Sequence, residues 1–476
     1  MRLPLRPVAT CAVLFGIAAC ATNPATGKRE FTLVSESQEI AMGQQGAQDV
    51  LKESAVVPDS ALQKYVAGLA LAIAKTTERP DVPWSFVVLD DPVVNAFALP
   101  GGPIFITRGI LTHMTSEAEL VSVLGHEMGH VTARHSVHQM TMSQLAQVGL
   151  VAGSILSPRI AQFGDLAQAG LGLLFLKFGR DDELQADELG FKYALSNNYD
   201  VREMASMFRT LDKISGDEGG RLPEWQSTHP NPDNRVANTE HRIAALNRSV
   251  SGLRVGREAF LRHVDGLVFG ENPREGFFEG AVFHHPDLRF RINFPAGWLT
   301  QNQATQVVGI SAQKDAMIVL ASGEGGAPSQ LLSQFLGQQG IASGRTSTQP
   351  INGIPAAWGE FVAQTPQGAL AGIVAYLSYS GANYRILAYA PSAIAGKYVG
   401  AFQSSIASFR PETDAKVLAV KPNRVRLVQL PRAMTITEFN AMSPSSIPLK
   451  LLAIINGVEE TQTIPAGTLV KRVIAE

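Results

Sequence analysis

His126 and His130 stand four residues apart in the stretch Leu124-Gly125-His126-Glu127-Met128-Gly129-His130. On a helix that spacing sets both on one face, roughly 5–6 Å apart at Cβ, so two neutral imidazoles can share one tetrahedral metal. Glu127 sits one position along, able to address a water on the metal without being a ligand. Zinc suits these donors and lowers the pKa of a bound water to about 7, which points to metal-assisted hydrolysis. A catalytic zinc takes three protein ligands and keeps one position open. Glu183-Leu184-Gln185-Ala186-Asp187 supplies a second pair at the same spacing. Glu183 is the expected third ligand of one Zn2+ per chain. Asp187, one turn on, is placed to accept the spare N–H of a liganding histidine and so fix its tautomer.

These residues need helices. Ser116 and Glu119 form a capping box that starts a helix through Leu120, Val123 and Leu124, with the motif on its second and third turns. Glu183 belongs on a helix running to about Ser196. Upstream, helices are expected from about Ser37 to Glu53 and from Asp59 to Lys75, the latter with Leu62, Val66, Leu69 and Ile73 on one stripe. Trp84–Leu89 reads as a strand. Ala96–Leu99 and Ile104–Thr107 read as two more, joined by Pro100-Gly101-Gly102-Pro103. This pair is either a plain structural hairpin or an edge on which an extended peptide can pair through its main chain. His135 and His138 follow the motif. A metzincin would carry Gly at 133 and His at 136, where Ala133 and Ser136 stand, so His135 is expected to pack or hydrogen-bond near the helix end. Residues 145–178 are rich in Leu, Gly and Ala but broken by Pro158, Arg159 and Asp165. Neither piece reaches the ~18–20 residues of a membrane span. A buried or site-covering helical hairpin is expected there, with a membrane-contacting lid as the alternative.

The whole chain has 476 residues and a formal net charge of -2, which gives no basic footprint for nucleic acid. Its two cysteines, Cys11 and Cys20, cannot staple the body, which excludes a disulfide-rich scaffold. Arg2 and Arg6 precede the apolar run Val8–Ala19, of signal-peptide length. Ile17-Ala18-Ala19-Cys20 resembles a bacterial lipobox with Cys20 as the acylated residue; an ordinary secretory signal with a fortuitous cysteine is the other reading. Lipid chains would anchor the protein without spanning the bilayer. Ala21 follows the cysteine where Asp does not, which resembles the default route to the outer membrane.

Several separated motifs occur in a familiar order: Asn95-Ala96-Phe97-Ala98-Leu99-Pro100-Gly101-Gly102, His126-Glu127-Met128-Gly129-His130, Glu183-Leu184-Gln185-Ala186-Asp187, Ser227-Thr228-His229-Pro230 and Arg235. Together they resemble the HtpX- and CAAX-prenyl-protease-type zinc metallopeptidases, close to the soluble periplasmic BepA/LoiP-like branch, over roughly residues 23–246. The resemblance implies a gluzincin fold, zinc bound by His126, His130 and Glu183, and Glu127 as general base. It also implies endopeptidase action on misfolded or unassembled envelope proteins. In relatives the histidine equivalent to His229 can sit near or on the zinc. His229 is therefore either a resting-state latch that fills the open metal position or a residue that stiffens its loop, ahead of a helix start at Asn231-Pro232. Arg235 either donates to the tetrahedral oxyanion or pairs with a nearby carboxylate.

Beyond about Ser249 the character changes. Leu288–Phe294 alternates with period two, and strands are expected at 306–312, 316–321, 356–363, 369–378 and 383–390, with helices at 329–338 and 396–408. That is an α+β domain with no catalytic constellation. His284-His285 are adjacent, and on a strand they turn to opposite faces, so they are read as structural or solvated. The last unit reads strand, helix 435–442, helix 449–456, strand 468–473. Its Ile455-Asn456-Gly457 and Pro465-Ala466-Gly467 punctuation resembles a divergent LysM glycan-binding module, with a small docking domain as the other reading. The expected architecture is α+β and multidomain: signal peptide 1–19, a mainly helical gluzincin peptidase domain with a small sheet at 20–250, linker 251–279, an α+β accessory domain at 280–411, and a LysM-like βααβ unit at 412–476. The expected location is the bacterial envelope, as an outer membrane lipoprotein facing the periplasm, with membrane contact through the lipid anchor only. Expected partners are unfolded or misassembled envelope proteins, with peptidoglycan or outer-membrane assembly machinery as further contacts. The rival is a non-catalytic or latched envelope chaperone, or a cell-wall-binding scaffold, built around the same metal site.

Overall fold

The computed structural model describes residues 20–143, 178–217, 225, 229, 234–366 and 368–476. The signal segment 1–19, the stretch 144–177 expected as a hairpin and the helix start at Asn231-Pro232 lie outside the described residues. The chain divides into two compact units: residues up to Gly270 together with Asn423–Ala475, and Glu271–Pro422.

The first unit opens with β1 (Cys20–Thr22) paired antiparallel to β2 (Arg29–Phe31). Helix α1 (Glu36–Glu53) starts at a full capping box: Ser35 Oγ accepts from Gln38 N–H, and the Gln38 side chain accepts from Ser35 N–H. Asp59 caps α2 (Ser60–Ala74) by accepting from the N–H groups of Ala61 and Leu62. A small sheet follows, of β3 (Ser85–Leu89), β4 (Ala96–Ala98) and β5 (Pro103–Thr107). Its central strand β5 runs parallel to β3 and antiparallel to β4. The turn between β4 and β5 requires glycine, because Gly101 takes φ +71° and a Cβ there would stand 2.6 Å from Ile40 Cα on α1.

A short helix absent from the sequence reading, α3 (Arg108–His113), leads into α4 (Glu117–Thr132), every residue of which is buried. Ser116 caps α4, its Oγ accepting from Glu119 N–H at 3.1 Å. The Glu119 carboxylate turns back to the N–H of Thr115 and not of Ser116, so the expected box forms by half. Around α4 pack α5 (Arg180–Ser196), α6 (Arg202–Asp217) and, after α7 (Arg235–Ala244), which lies on α6, α8 (Arg257–Val264). The sequence reading missed α6, although Met204, Phe208 and Leu211 recur there at helical spacing and enter the core. The stretch 251–279, expected as a linker, holds α8, whose Phe260, Leu261 and Val264 are buried in the same core.

Asn423–Gln429 pairs antiparallel with Leu469–Ala475, and helices Ile436–Met442 and Leu449–Asn456 lie between them in the expected order. This stretch is not set apart from the first unit. Ile454 joins the first core, and the buried Lys471 ammonium donates to Thr112 O at 2.8 Å and to Met114 O, in the chain that leads into α4.

Glu271–Pro422 contains a seven-stranded antiparallel sheet ordered Ile341–Ser347, Ala356–Thr365, Gly368–Tyr379, Ala382–Pro391, Met317–Ser322, Gln306–Ile310, Leu299–Asn302. A four-stranded sheet and helices Pro328–Leu336 and Val399–Ser408 complete it. The strand expected from Leu288 starts only at Phe290, because Arg289 takes φ 56° in the preceding turn. Among the described residues no helix is long and apolar enough to cross a membrane.

Candidate metal centre

Two helices bring the site together because both lack side chains where they touch. Gly125 and Gly129 on α4 face Gly190 and Ala186 on α5. A Cβ added at Gly190 would lie 2.9 Å from His126 N, and one at Gly129 would lie 3.0 Å from Ala186 Cα. The close backbones carry the Glu183 carboxylate, one turn from the start of α5, over to the two histidines on α4.

His126 Nε2 and His130 Nε2 are 3.1 Å apart. Glu183 lies 3.5 Å from the first and 3.4 Å from the second. His229 joins them, with Nδ1 3.0 Å from Glu183 Oε1 and 3.4 Å from His126 Nε2. Among the described residues, His126, His130, Glu183 and His229 form the group that could hold a metal: their ligand atoms lie within 4.8 Å of one another, and all four are buried. Glu127 faces the same space, its Oε1 3.6 Å from His229 Nε2. Both Glu127 oxygens are buried without a hydrogen-bond partner. Buried carboxylate oxygens left this way are costly, and a divalent cation with its water would satisfy them. Two imidazole nitrogens and a carboxylate are also a donor set that zinc accepts.

A second layer orients the histidines, and one turn of α5 supplies most of it. Asp187 Oδ1 lies 2.9 Å from His126 Nδ1, which leaves Nε2 with its lone pair toward the cluster. Gln185 Oε1 lies 2.9 Å from His135 Nε2, and His135 Nδ1 lies 2.9 Å from His130 Nδ1. His135 therefore hydrogen-bonds beside the helix end, as expected, and orients His130. Arg235, at the start of α7, gives Nε to Asp187 Oδ2 at 2.9 Å and Nη2 to Asp187 Oδ1 at 2.5 Å, and stacks over Phe208 of α6 at 4.0 Å. Of the two roles read for Arg235, this geometry is the carboxylate pair. Phe178 stacks on the His130 ring at 4.0 Å, and Trp225 on the His229 ring at 4.3 Å.

The charges are mutual. Burial alone would lower His126, but hydrogen bonds to Asp187 and Glu183 outweigh it and lift the imidazole to about 9. Burial opposes ionisation of Glu183 as well, yet the charge of His229 and the hydrogen bonds from His126, His130 and His229 hold it well below the usual carboxylate range. The buried carboxylates thus draw positive charge to this spot, a demand that a divalent ion also meets. Burial pushes Glu127 up, against the pull of His229 and His126, toward the range of a group that trades protons.

Residues 60–243 match the family described as Peptidase family M48, and every residue of this cluster lies within that span. The stretch is an M48 peptidase domain. Over 218 residues the chain is 34% identical to a mitochondrial metalloendopeptidase OMA1 of Arabidopsis thaliana, covering 44% of this chain and 43% of that one. Over 223 residues it is 31% identical to the Schizosaccharomyces pombe OMA1, covering 46% and 64%. The beta-barrel assembly-enhancing protease of Escherichia coli (strain K12) is 26% identical over 230 residues, covering 46% and 47%. The chain spans about half the length of these relatives.

Within the M48 domain the motif reading had named His126, Glu127, His130, Glu183, Asp187, His229 and Arg235, and the fold brings all seven together. It had given no role to Gln185, Phe178, Trp225 or the glycines. Gly125, Gly129 and Gly190 did carry a signal, since small residues four apart on two helices mark a close crossing. Gln185 and Trp225 carried none. Beside the site, α4 packs against β4, and β4 is an end strand of its sheet among the described residues.

Proposed function

We propose that this protein is a zinc-dependent endopeptidase, held as a lipoprotein in a bacterial envelope, that cleaves unfolded or misassembled envelope proteins. The observation that carries the reading is the convergence of His126, His130 and Glu183 beside a buried Glu127 whose two oxygens have no partner. His126, His130 and Glu183 would hold the zinc, which when bound supplies a Lewis acid for the scissile carbonyl and acidifies water. Glu127 takes the proton of the attacking water and returns it to the leaving amine, a double duty suited to a carboxyl whose pKa burial has raised. Asp187 and His135 hold the two imidazoles in the tautomer that leaves Nε2 free. Arg235 acts through Asp187 as a positioning residue. The edge of β4, unpaired among the described residues, would pair with an extended stretch of substrate, which favours unfolded chains.

Ile17-Ala18-Ala19-Cys20 supports the lipoprotein anchor, and the similarity to beta-barrel assembly-enhancing proteases supports an outer-membrane setting facing the periplasm. The strand-helix-helix-strand order of the C-terminal residues supports the LysM-like reading, with peptidoglycan as its contact. The deciding experiment is zinc analysis with casein cleavage on purified wild type and Glu127→Gln. One zinc in each and cleavage by wild type alone is expected. Metal without cleavage in wild type would leave the scaffold reading standing.

A second reading, a latched state, rests on His229. Its Nδ1 stands among the ligand atoms, where a fourth donor would displace water. Trp225 stacks on its ring, and Trp225 O accepts from His229 N–H at 2.7 Å, so Trp225 holds His229 by both ring and backbone.

A further inference from the structure

The N-terminal hairpin presents a face that the catalytic reading does not use. Along the strand and its continuation, Arg29, Phe31 and Leu33 are exposed, while Glu30 and Thr32 between them are half-buried, the alternation of a strand with one covered side. Phe31 and Leu33 are 37% and 46% exposed, and Met142, at the neighbouring position across Thr141, is 40% exposed. Leu33 N–H donates to Thr141 Oγ1 at 3.3 Å, which ties the strand's continuation to the residue next to Met142. Lys28 and Arg29, both exposed, add positive charge beside it. The backbone register places Cys20 opposite Phe31.

The hairpin is also fastened to the peptidase body. The buried Asn23 amide donates to Ala133 O, just past the end of α4, and to Glu30 Oε1, both at 3.0 Å. Arg134 donates to Val34 O at 3.1 Å. A patch held this firmly is not a free tether.

We propose that Arg29, Phe31, Leu33 and Met142, with Lys28, form a bilayer-facing surface that seats the protein on an anionic phospholipid membrane. This inference rests on the lipoprotein reading for its occupant, because the backbone register sets Cys20, the residue acylated on that reading, opposite Phe31. Apolar side chains then enter the headgroup boundary while the basic residues meet lipid phosphates. The surface orients the end of α4 relative to the membrane, which an acyl chain on a flexible tether would not do.

The test uses the acylated full-length protein in phosphatidylethanolamine–phosphatidylglycerol vesicles. An environment-sensitive fluorophore is placed on Phe31→Cys or Leu33→Cys, with Leu71→Cys on α2 as the control site (44% exposed). Nitroxide lipids are expected to quench the labels at 31 and 33 several-fold more than the label at 71. Equal quenching at all three sites, with Cys20 shown by mass to be acylated, overturns the surface. If mass shows Cys20 unmodified, the lipoprotein reading falls and the surface is judged by vesicle flotation of that same protein. There Phe31→Ser with Leu33→Ser should lower binding about ten-fold or more. No loss on flotation overturns it.

Discussion

Each of the two units buries a histidine against a glutamate, and the two pairs differ in what is left over. In Glu271–Pro422, His284 Nδ1 lies 2.5 Å from Glu412 Oε2, and Glu412 Oε1 accepts from the N–H groups of Thr413 and Asp414 at 2.8 Å each. The adjacent His285 turns away to the Phe290 ring, 5.5 Å between centroids. Each Glu412 oxygen has found a partner within its own fold. On α4, Glu127 is buried more deeply and neither oxygen has a partner, while His126 and His130 aim Nε2 at the space that Glu183 also faces. A satisfied pair holds a fold together. Convergent donors that the fold leaves unsatisfied await a ligand, and that separates the M48 site from a buried ion pair of similar composition.

The comparison breaks most visibly through substitution at each pair. His126→Ala and Glu183→Gln should each lose zinc and casein cleavage together, down to background, read by metal analysis and product release. His284→Ala should keep zinc and rate within about two-fold and lose only stability, about 1–3 kcal/mol in a denaturant melt. If His284→Ala lost cleavage while holding its metal, the contrast between the pairs would be wrong. Glu127→Gln comes next: zinc unchanged, turnover lower by about 10²–10⁴-fold, the range for losing a positioned proton-transfer group.

What could be read before the fold was known follows from the range of each contact. His126, His130, Glu183 and Asp187 were legible because spacing of four on a helix is a local geometric statement, and the ligand count of a catalytic zinc demands a third donor. The link from His130 through His135 to Gln185 was not legible, since it joins α4 to α5 across about fifty positions and a glutamine carries no distinctive signal. Arg235 had two readings, and only the position of Asp187 chose between them. Lys471 lies in the expected closing strand 468–473 with nothing local to mark it, yet it is buried against the carbonyls of Thr112 and Met114 in the first unit. The helix starts expected at about Ser37 and Asp59, and the cap read at Ser116, lie within a residue of the observed starts at Glu36, Ser60 and Glu117. The helices α3 and α6 went unread although each has a cap, Thr107 Oγ1 accepting from Ile110 N–H and Asp200 Oδ1 from Arg202 N–H; α3, at six residues, is too short for a helical period to show.

Smaller effects sharpen the same contrast. Gly190→Val should force α5 off α4, because even a Cβ would meet His126 N at 2.9 Å. The expected result is about 1–3 kcal/mol lost in a melt, with zinc held about ten-fold more weakly in a chelator competition. Gly68→Ala on α2, where nothing lies within 4 Å, should be neutral or stabilising by up to about 1 kcal/mol. Acid treats the units alike, since each has a histidine that burial holds down to about 4: His113 in the first and His285 in the second. The unfolded chain binds a proton at each position near pH 6.5, while the folded chain does so only near pH 4. Stability is therefore intact above about pH 6.5 and falls as pH drops toward 4. His113 is wholly buried and gives up to about 3 kcal/mol of this slope; the partly exposed His285 gives less. His113→Phe should flatten the pH dependence of the melt over that window.

The smallest expected change concerns His229, and its sign matters more than its size. If His229 fills the position a water needs, His229→Ala should raise casein turnover by about two- to ten-fold, in proportion to the latched fraction it releases. Trp225→Ala should act in the same direction but less, because it removes the ring stacked on His229 and leaves the imidazole in place. Zinc affinity separates this from simple loosening. A latching histidine adds a donor, so His229→Ala should bind zinc more weakly while it turns over faster. Faster turnover with weaker metal binding is hard to produce by any route other than removal of an inhibitory ligand. Equal rates and equal affinity in wild type and His229→Ala would make His229 a packing residue for its loop. It would then stand with His284: a buried imidazole that serves the fold and leaves the chemistry to its neighbours.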